Sequence, residues 1–453
     1  MTAPSPAPQG WRTFVVLWVT QSLSVVGGAL TYFAISIYLA QTLYPAPEQK
    51  PQLALALALE GLAGALPAIL AAPFAGAWAD RFDRRRIMAT CDFASTLVAL
   101  LIAALALAHA LPLWALVPLV ALSSLLGTFH GSAFDTSYAV LVPQGKLPRA
   151  NGMMQTMWSL SGLLAPGVAA FLIALPALLN LRVPWLRDGT ALVFLLDGVT
   201  FLLAGLVLTR LKIPSPLRAD HAEPPGMKSD LAFGFRYIWA RRPLLWLLGT
   251  FAVVNLLITP LGVLEPLILK FTLAPDWEAR GLSFESALAI LATVGGLGGV
   301  VGGVAVSAWG GLRFRRVYGV LVPLFLEGLA LLAFGLSRDL YLSAFLAALA
   351  FSMGPIANVH SQTIWQTQVP PQMQGRVFSV RRLIAQFTGP IATALAGFMG
   401  GAFDPARVIF WLGAAYSVFL GAQLFNPYLR RVEDKAWLED LAASRGKMAE
   451  TGD

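Results

Sequence analysis

The sequence predicts an all-α membrane protein whose twelve transmembrane helices form two pseudo-symmetric six-helix halves, and three observations carry that expectation. Hydrophobic residues make up 57% of the chain and charged residues 12%, with a mean hydropathy of +0.69, whereas soluble domains carry about 25% charged residues. A helix needs roughly 20 apolar residues to cross the hydrocarbon, so 453 residues joined by short connections hold about a dozen crossings. Between two long apolar runs lies Gly76-Ala-Trp-Ala-Asp80-Arg81-Phe-Asp83-Arg84-Arg85-Arg86, charged at six of eleven positions. Such a segment reads as a tight hydrophilic hairpin between two membrane helices.

The apolar runs place helices near 13–42, 53–78, 87–109, 113–140, 151–177, 189–210, 244–270, 286–309, 317–336, 341–365, 378–400 and 407–428. The polar, Pro-rich interval 211–243, with Pro214, Pro216, Pro224 and Pro225, divides them into halves at 1–210 and 244–453 and reads as a cytoplasmic linker. Its second part, from Asp230 to Arg242, has helical composition suited to the membrane surface. An internal repeat supports the division. Leu141-Val142-Pro143, Arg149-Ala-Asn151-Gly152 and Ala165-Pro166-Gly167 after the fourth helix correspond to Gln368-Val369-Pro370, Gly375-Arg376 and Gly389-Pro390 after the tenth. Gly310-Gly311-Leu-Arg313-Phe-Arg315-Arg316 is a shortened echo of the Asp80 loop.

The formal charge of +8 raises the question of a nucleic-acid partner, and the distribution of cations answers it. With the N-terminus inside, only Lys50, Arg182, Arg187, Lys270, Arg280, Arg338 and Arg407 of the 32 Lys and Arg fall on the outer side. That asymmetry follows the positive-inside rule and puts both termini in the cytoplasm, with no polyanion needed. The first ten residues are polar and Pro-rich and the first apolar run is too long for a signal peptide. A lone Cys91 forms no internal disulfide, and four scattered histidines with it make no metal site. No nucleophile–base set and no nucleotide loop is present, so an enzyme and a cofactor are not expected. The Gly295-Gly-Leu-Gly-Gly299 run, followed by Gly302-Gly303, lies inside an apolar span with no strand before it or Lys after it, so it is not a nucleotide loop; a small-residue packing surface and an antiport-related element both fit it.

The hairpin's spacing, Gly-x-x-x-Asp-Arg-x-x-Arg-Arg-Arg, resembles the signature loop between helices 2 and 3 of the major facilitator superfamily. The resemblance implies a gating motif of Gly76, Asp80, Arg81 and Arg84. Gly76 is expected to let helices pack closely, Asp80 to face a helix N-terminus or an Arg, and the Arg cluster to stay cytoplasmic. Further segments are similar to macrolide-efflux and related drug exporters, a subgroup that also holds siderophore exporters. They are Trp18-Val-Thr-Gln21-Ser-Leu-Ser24, Leu66-Pro67 with Pro73, Gly127-Thr-Phe-His130, Lys212-Ile213-Pro214 and Gly375-Arg376-Val-Phe378-Ser379. In helix 5 the antiporter pattern of this superfamily corresponds to Gly152, Ser161, Ala165-Pro166 and Ala169-Ala170, with Ser or Ala where all but the first Gly would stand. Two readings fit it: an antiport-related element centred on Gly152, Ser161 and Pro166, or an ordinary small-residue interface.

Charges at membrane depth are the candidate mechanism, because an ionised side chain at the bilayer centre costs at least ~2.5 kcal/mol on insertion scales. Glu60 falls in the outer third of helix 2, Asp197 near the middle of helix 6, Glu265 in the outer third of helix 7 and Glu327 near the middle of helix 9. A carboxyl moved into low dielectric has its pKa raised toward neutrality, as proton coupling requires. Glu60 and Glu265 are the better placed to meet protons or substrate; Asp197 and Glu327 lie on helices that usually stay outside the cavity in this fold. Asp92 and Asp135, near cytoplasmic helix ends, are expected to partner the Arg-rich loops. Gln21 and Tyr32, eleven residues apart on helix 1, share a face and are candidate cavity lining. His130 could titrate or serve as an interhelical hydrogen-bond partner. Asn255, Asn358, His360 and Gln362 add polar groups, and Arg381 and Arg382 are expected to snorkel to the cytoplasmic interface.

The expected function is secondary export of amphipathic small molecules of the drug or macrolide type, by proton antiport with alternating access. Its partners would be the lipid bilayer, the substrate and protons, in a monomer of the bacterial cytoplasmic membrane. Export or flipping of a specific siderophore or lysolipid is the alternative, and a non-transporting scaffold or sensor a third.

Overall fold

The computed structural model describes residues 10–180, 189–213, 227–370 and 373–441. The loop cations Arg182 and Arg187 and the prolines of the linker between 214 and 226 lie outside the described residues. Among the described residues twelve helices are long and apolar enough to cross a membrane, and no strand occurs. In hydrocarbon each backbone N–H and C=O must be satisfied within its own segment, which a helix does and an open strand does not. The chain divides into two compact units, 1–220 with 280–293, and 221–279 with 294–453.

In the first unit α1 (Gly10–Ile37), continued by a π-helical turn at Tyr38–Leu43, is followed by α2 (Lys50–Arg81), α3 (Arg84–Leu107), α4 (Leu113–Leu141), α5 (Leu147–Leu178) and α6 (Thr190–Arg210). α1 packs on α5 and α6, α3 on α4 and α6, and α2 on α4. Small residues permit these approaches. A Cβ on Gly198 or Gly205 of α6 would press on Leu100 or on Asp92 and Phe93 of α3, and one on Gly27 of α1 would collide with Asp197 and Thr200. The α2–α3 hairpin is closed by Asp83, whose carboxylate accepts the Arg86 N–H at 3.1 Å and caps α3.

The second unit holds α7 (Met227–Ala240), α8 (Arg242–Ile258), α9 (Leu261–Phe271), α10 (Ala274–Ala279), α11 (Phe284–Trp309), of which the first residues belong to the other unit, then α12 (Arg316–Leu336), α13 (Leu340–Gln368), α14 (Gln374–Ala402), α15 (Pro405–Gln423) and α16 (Pro427–Arg430). The neighbour pattern repeats: α12 packs on α13 and α15 as α3 packs on α4 and α6, and α8–α9 pack on α14 and α15 as α1 packs on α5 and α6. The seventh crossing, expected as one helix, is broken at Thr259–Pro260, where proline removes the N–H that would continue the ladder.

α7 and the chain after α15 close one end of this unit. Tyr237 donates its hydroxyl to the Gln368 carbonyl at 3.2 Å. Arg316 pairs with Glu433 at 3.4 Å, and Leu429, Val432 and Leu438 are buried against the helix ends.

Candidate functional site

Three carboxylates of the first unit converge on α1 from three different helices. Gln21 donates its amide N–H to Asp92 of α3 at 3.3 Å, Thr31 donates its hydroxyl to Asp197 of α6 at 2.7 Å, and Ser36 donates to Glu60 of α2 at 3.5 Å. At 1.5 Å rise per residue the last two contacts stand about 15 and 22 Å along α1 from the first. All three acids are buried. Burying a carboxyl is tolerable only with hydrogen bonds, and each supplies one. Glu60 Oε1 and Asp197 Oδ1 are nevertheless left without partners.

His130 of α4 sits on the Asp92 group, its Nε2 3.4 Å from Asp92 Oδ1 but out of hydrogen-bond alignment. Ser24 completes the group by donating to Gln21 Oε1 at 3.2 Å. This arrangement corrects two expectations. Asp92 is 1% exposed, hydrogen-bonded to Gln21 and beside His130, not paired with the Arg-rich loop, because its position on α3 turns it toward α1 and α4. Gln21, also 1% exposed, faces α3 inside the helix packing, while Tyr32 is 52% exposed. Asp135 is exposed.

In the gating motif Arg84 carries the structural contacts. Its guanidinium donates to the Ala79 carbonyl at 3.1 Å and the Thr136 carbonyl at 3.2 Å, tying the end of α2 to α4. Asp80 stands 4.0 Å from Arg84 with its side chain 70% exposed. Arg81 is exposed. Within the first unit a Cβ on Gly76 would touch nothing. In helix 5, Ser161, Ala165, Pro166, Ala169 and Ala170 are buried, and Ser161 donates to the Trp158 carbonyl at 2.8 Å. Gly152 is exposed, with nothing where its Cβ would be.

In the second unit Glu327 of α12 accepts the Tyr416 hydroxyl of α15 at 2.7 Å. Glu265 of α9 is half-buried, just before Pro266. His360 receives the Leu312 N–H on Nε2 at 2.8 Å and contacts the Ile356 carbonyl through Nδ1 at 2.7 Å, which fixes its neutral tautomer with the proton on Nδ1. It thereby clamps the α11–α12 loop, where Gly310 and Gly311 adopt positive φ. Asn255 donates to the Ala385 carbonyl at 3.1 Å.

Arg381 departs furthest from expectation. Instead of snorkelling, it turns inward from α14 to donate to Gln362 Oε1 at 2.6 Å and Ser361 Oγ at 3.4 Å, with its guanidinium 5.3 Å from the Trp365 ring centre. It starts two turns into α14, deep enough for neutral partners on α13 to hold it. Among the described residues no three His, Cys, Asp or Glu side chains gather as a metal site would need.

The sequence profile of the Major Facilitator Superfamily matches residues 17–393. The chain belongs to that superfamily. Macrolide efflux protein A of Streptococcus pyogenes is 23% identical over 426 residues, covering 93% of this chain and 97% of the relative. The multidrug efflux pump Tap of Mycolicibacterium fortuitum is 25% identical, covering 84% and 89%. Among solved structures, a bacterial homologue of the human lysosomal transporter Spinster aligns over 97% of this chain and 96% of its own with a TM-score of 0.65 at 17% identity. The nucleoside transporter NupG aligns over 91% and 98% with a TM-score of 0.64 at 12% identity. Both alignments show a shared fold over nearly the whole chain.

Proposed function

We propose that this protein exports amphipathic small molecules of the drug or macrolide type by proton antiport, its halves giving access to alternate sides of the bilayer. The exporter reading draws on the two efflux proteins that align over most of the chain. The coupling reading rests on Glu60, a carboxyl 2% exposed in a membrane helix, with a single long hydrogen bond and one oxygen left unpartnered. A buried carboxyl so weakly held gains or loses a proton without dismantling a network, and proton binding at membrane depth offsets the cost of its charge. Glu265 is the second candidate. Asp197 and Glu327 are held by short hydrogen bonds from Thr31 and Tyr416 and come after them. The protein would act as a monomer in the bacterial cytoplasmic membrane with both termini inside.

Reconstituted vesicles with an imposed pH gradient test this reading. The expected result is gradient-dependent movement of a cationic dye and of a macrolide by the parent protein. In Glu60→Gln, alone or with Glu265→Gln, substrate still binds but the dependence on the gradient is lost. If both single variants and the double variant keep the parent's pH dependence, Glu60 and Glu265 are not the coupling groups and Asp197 and Glu327 are next. A parent protein that moves nothing down or against the gradient would favour the scaffold.

A further inference from the structure

Within the second unit an open groove of about 470 Å³ is lined by Asn358, Val359, Gln362, Thr363 and Gln366 of α13 and by Arg381 of α14. Its volume is that of a small-molecule site. Asn358, Gln362 and Gln366 recur every fourth residue, so one face of a membrane helix presents three carboxamides along about 12 Å. Beside them, Thr363 supplies a hydroxyl. The only formal charge in the lining is the Arg381 guanidinium, and no carboxylate stands within ion-pair distance of it among the described residues.

A guanidinium in a membrane helix is costly, and neutral partners supply hydrogen bonds without cancelling the charge. Gln362 receives one N–H and Ser361 another, while Trp365 covers a face of the cation. A guanidinium has five N–H donors, so donors remain beyond those two bonds. Were the arginine needed only to join α13 to α14, glutamate at 362 would reach the same atom and neutralise it. An amide there leaves the positive charge available to whatever enters the groove.

We propose that Arg381 and the α13 amide face form a binding site for the oxyanion head, carboxylate or phosphate, of an amphipathic molecule. The guanidinium meets the oxyanion in a charge-assisted pair. The carboxamides and Thr363 bond the neutral polar atoms of the head. As a substrate site this rests on the exporter reading above; as a binding site it does not. It adds to that reading a class of cargo carrying negative charge, which the membrane carboxylates alone would repel.

The test uses the full chain in phosphatidylcholine nanodiscs, with affinities measured calorimetrically for dodecyl phosphate, dodecanoate and dodecyltrimethylammonium. The parent protein is expected to bind the two anions and to bind the cation at least about tenfold more weakly, the scale of one charge-assisted bond. Gln362→Glu places a carboxylate on the guanidinium and keeps the fold by adding an internal ion pair. It is expected to lose anion binding at least about tenfold, as is Arg381→Gln. Arg381→Lys keeps the charge and is expected to fall between. Equal anion affinity in Gln362→Glu and the parent, or equal affinity for anion and cation, overturns the proposal. Repeating the titration in phosphatidylglycerol discs separates two sources of the same chemistry. Competition by the bilayer identifies a lipid headgroup, its absence a solute, and either occupant satisfies the proposal. Dye transport in vesicles is scored separately. A parent protein that transports nothing removes the exporter reading and leaves the anion site, whereas intact transport with no anion preference does the reverse.

Discussion

Asp92 joins α3 to α1 through the Gln21 amide, and the cost of losing it is set by what it leaves behind. Asp92→Ala strands the buried Gln21 amide, and an unsatisfied buried polar group costs about 1–3 kcal/mol. We expect that variant to unfold several degrees below the parent in a detergent thermal-stability assay. Asp92→Asn keeps an acceptor for Gln21 and should lose much less. A similar contrast separates the two motif residues. Arg84 is bonded to two carbonyls, so Arg84→Gln should lower stability. Asp80 is exposed and 4.0 Å from its partner, a geometry worth little, so Asp80→Asn should leave the melting temperature nearly unchanged. If Asp80 acts in exchange between conformations, that variant will bind substrate normally and transport it slowly. Full transport would reduce the loop to an orientation anchor.

Glycine shows how helix packing is encoded, and where one-dimensional reading stops. In α11 a Cβ on Gly298 would collide with the Ala348 carbonyl and one on Gly302 with the Ser352 carbonyl, both backbone atoms of α13 that cannot give way. A Cβ on the adjacent Gly303 would meet nothing. Gly298→Ala and Gly302→Ala should therefore lower the yield of monodisperse protein in size-exclusion chromatography. Gly303→Ala should be neutral or slightly stabilising, since alanine is the better helix former by about 1 kcal/mol. Equal yields across all three would mean that α11 and α13 do not cross at these positions. The sequence run Gly295–Gly303 does not distinguish the three, because it fixes how deep a residue lies but not which way it points. The same limit explains the other differences. Hydropathy located each crossing to within a few residues, yet depth alone placed Asp92 against the basic loop and Arg381 at the interface. Depth is written in composition; azimuth is written in the surface of the neighbouring helix.

At the scale of the molecule, the duplicated architecture was legible because it rests on signals that repeat: twelve apolar runs, the Leu-Val-Pro and Gln-Val-Pro echoes, and the Asp80 and Gly310 loops. The break at Thr259–Pro260 was not, since prolines also sit inside continuous helices here, at Pro67, Pro73, Pro118 and Pro355. Sidedness rests on the distribution of cations and is open to direct measurement. Lys and Arg near the ends of membrane helices resist translocation, so loops rich in them stay inside. The loop between α9 and α11 is poor in them, while the chain after α15 carries Arg430, Arg431 and Lys435. The expected arrangement puts the first outside and the second in the cytoplasm. The only native cysteine, Cys91, is buried, which gives a low background for labelling. Glu278→Cys should react with a membrane-impermeant maleimide in intact cells, Glu278 being exposed in that loop. Lys435→Cys, exposed after α16, should react only after the membrane is opened. Reversal of the two patterns would invert the topology, and with it the assignment of the Asp80 hairpin to the cytoplasmic face.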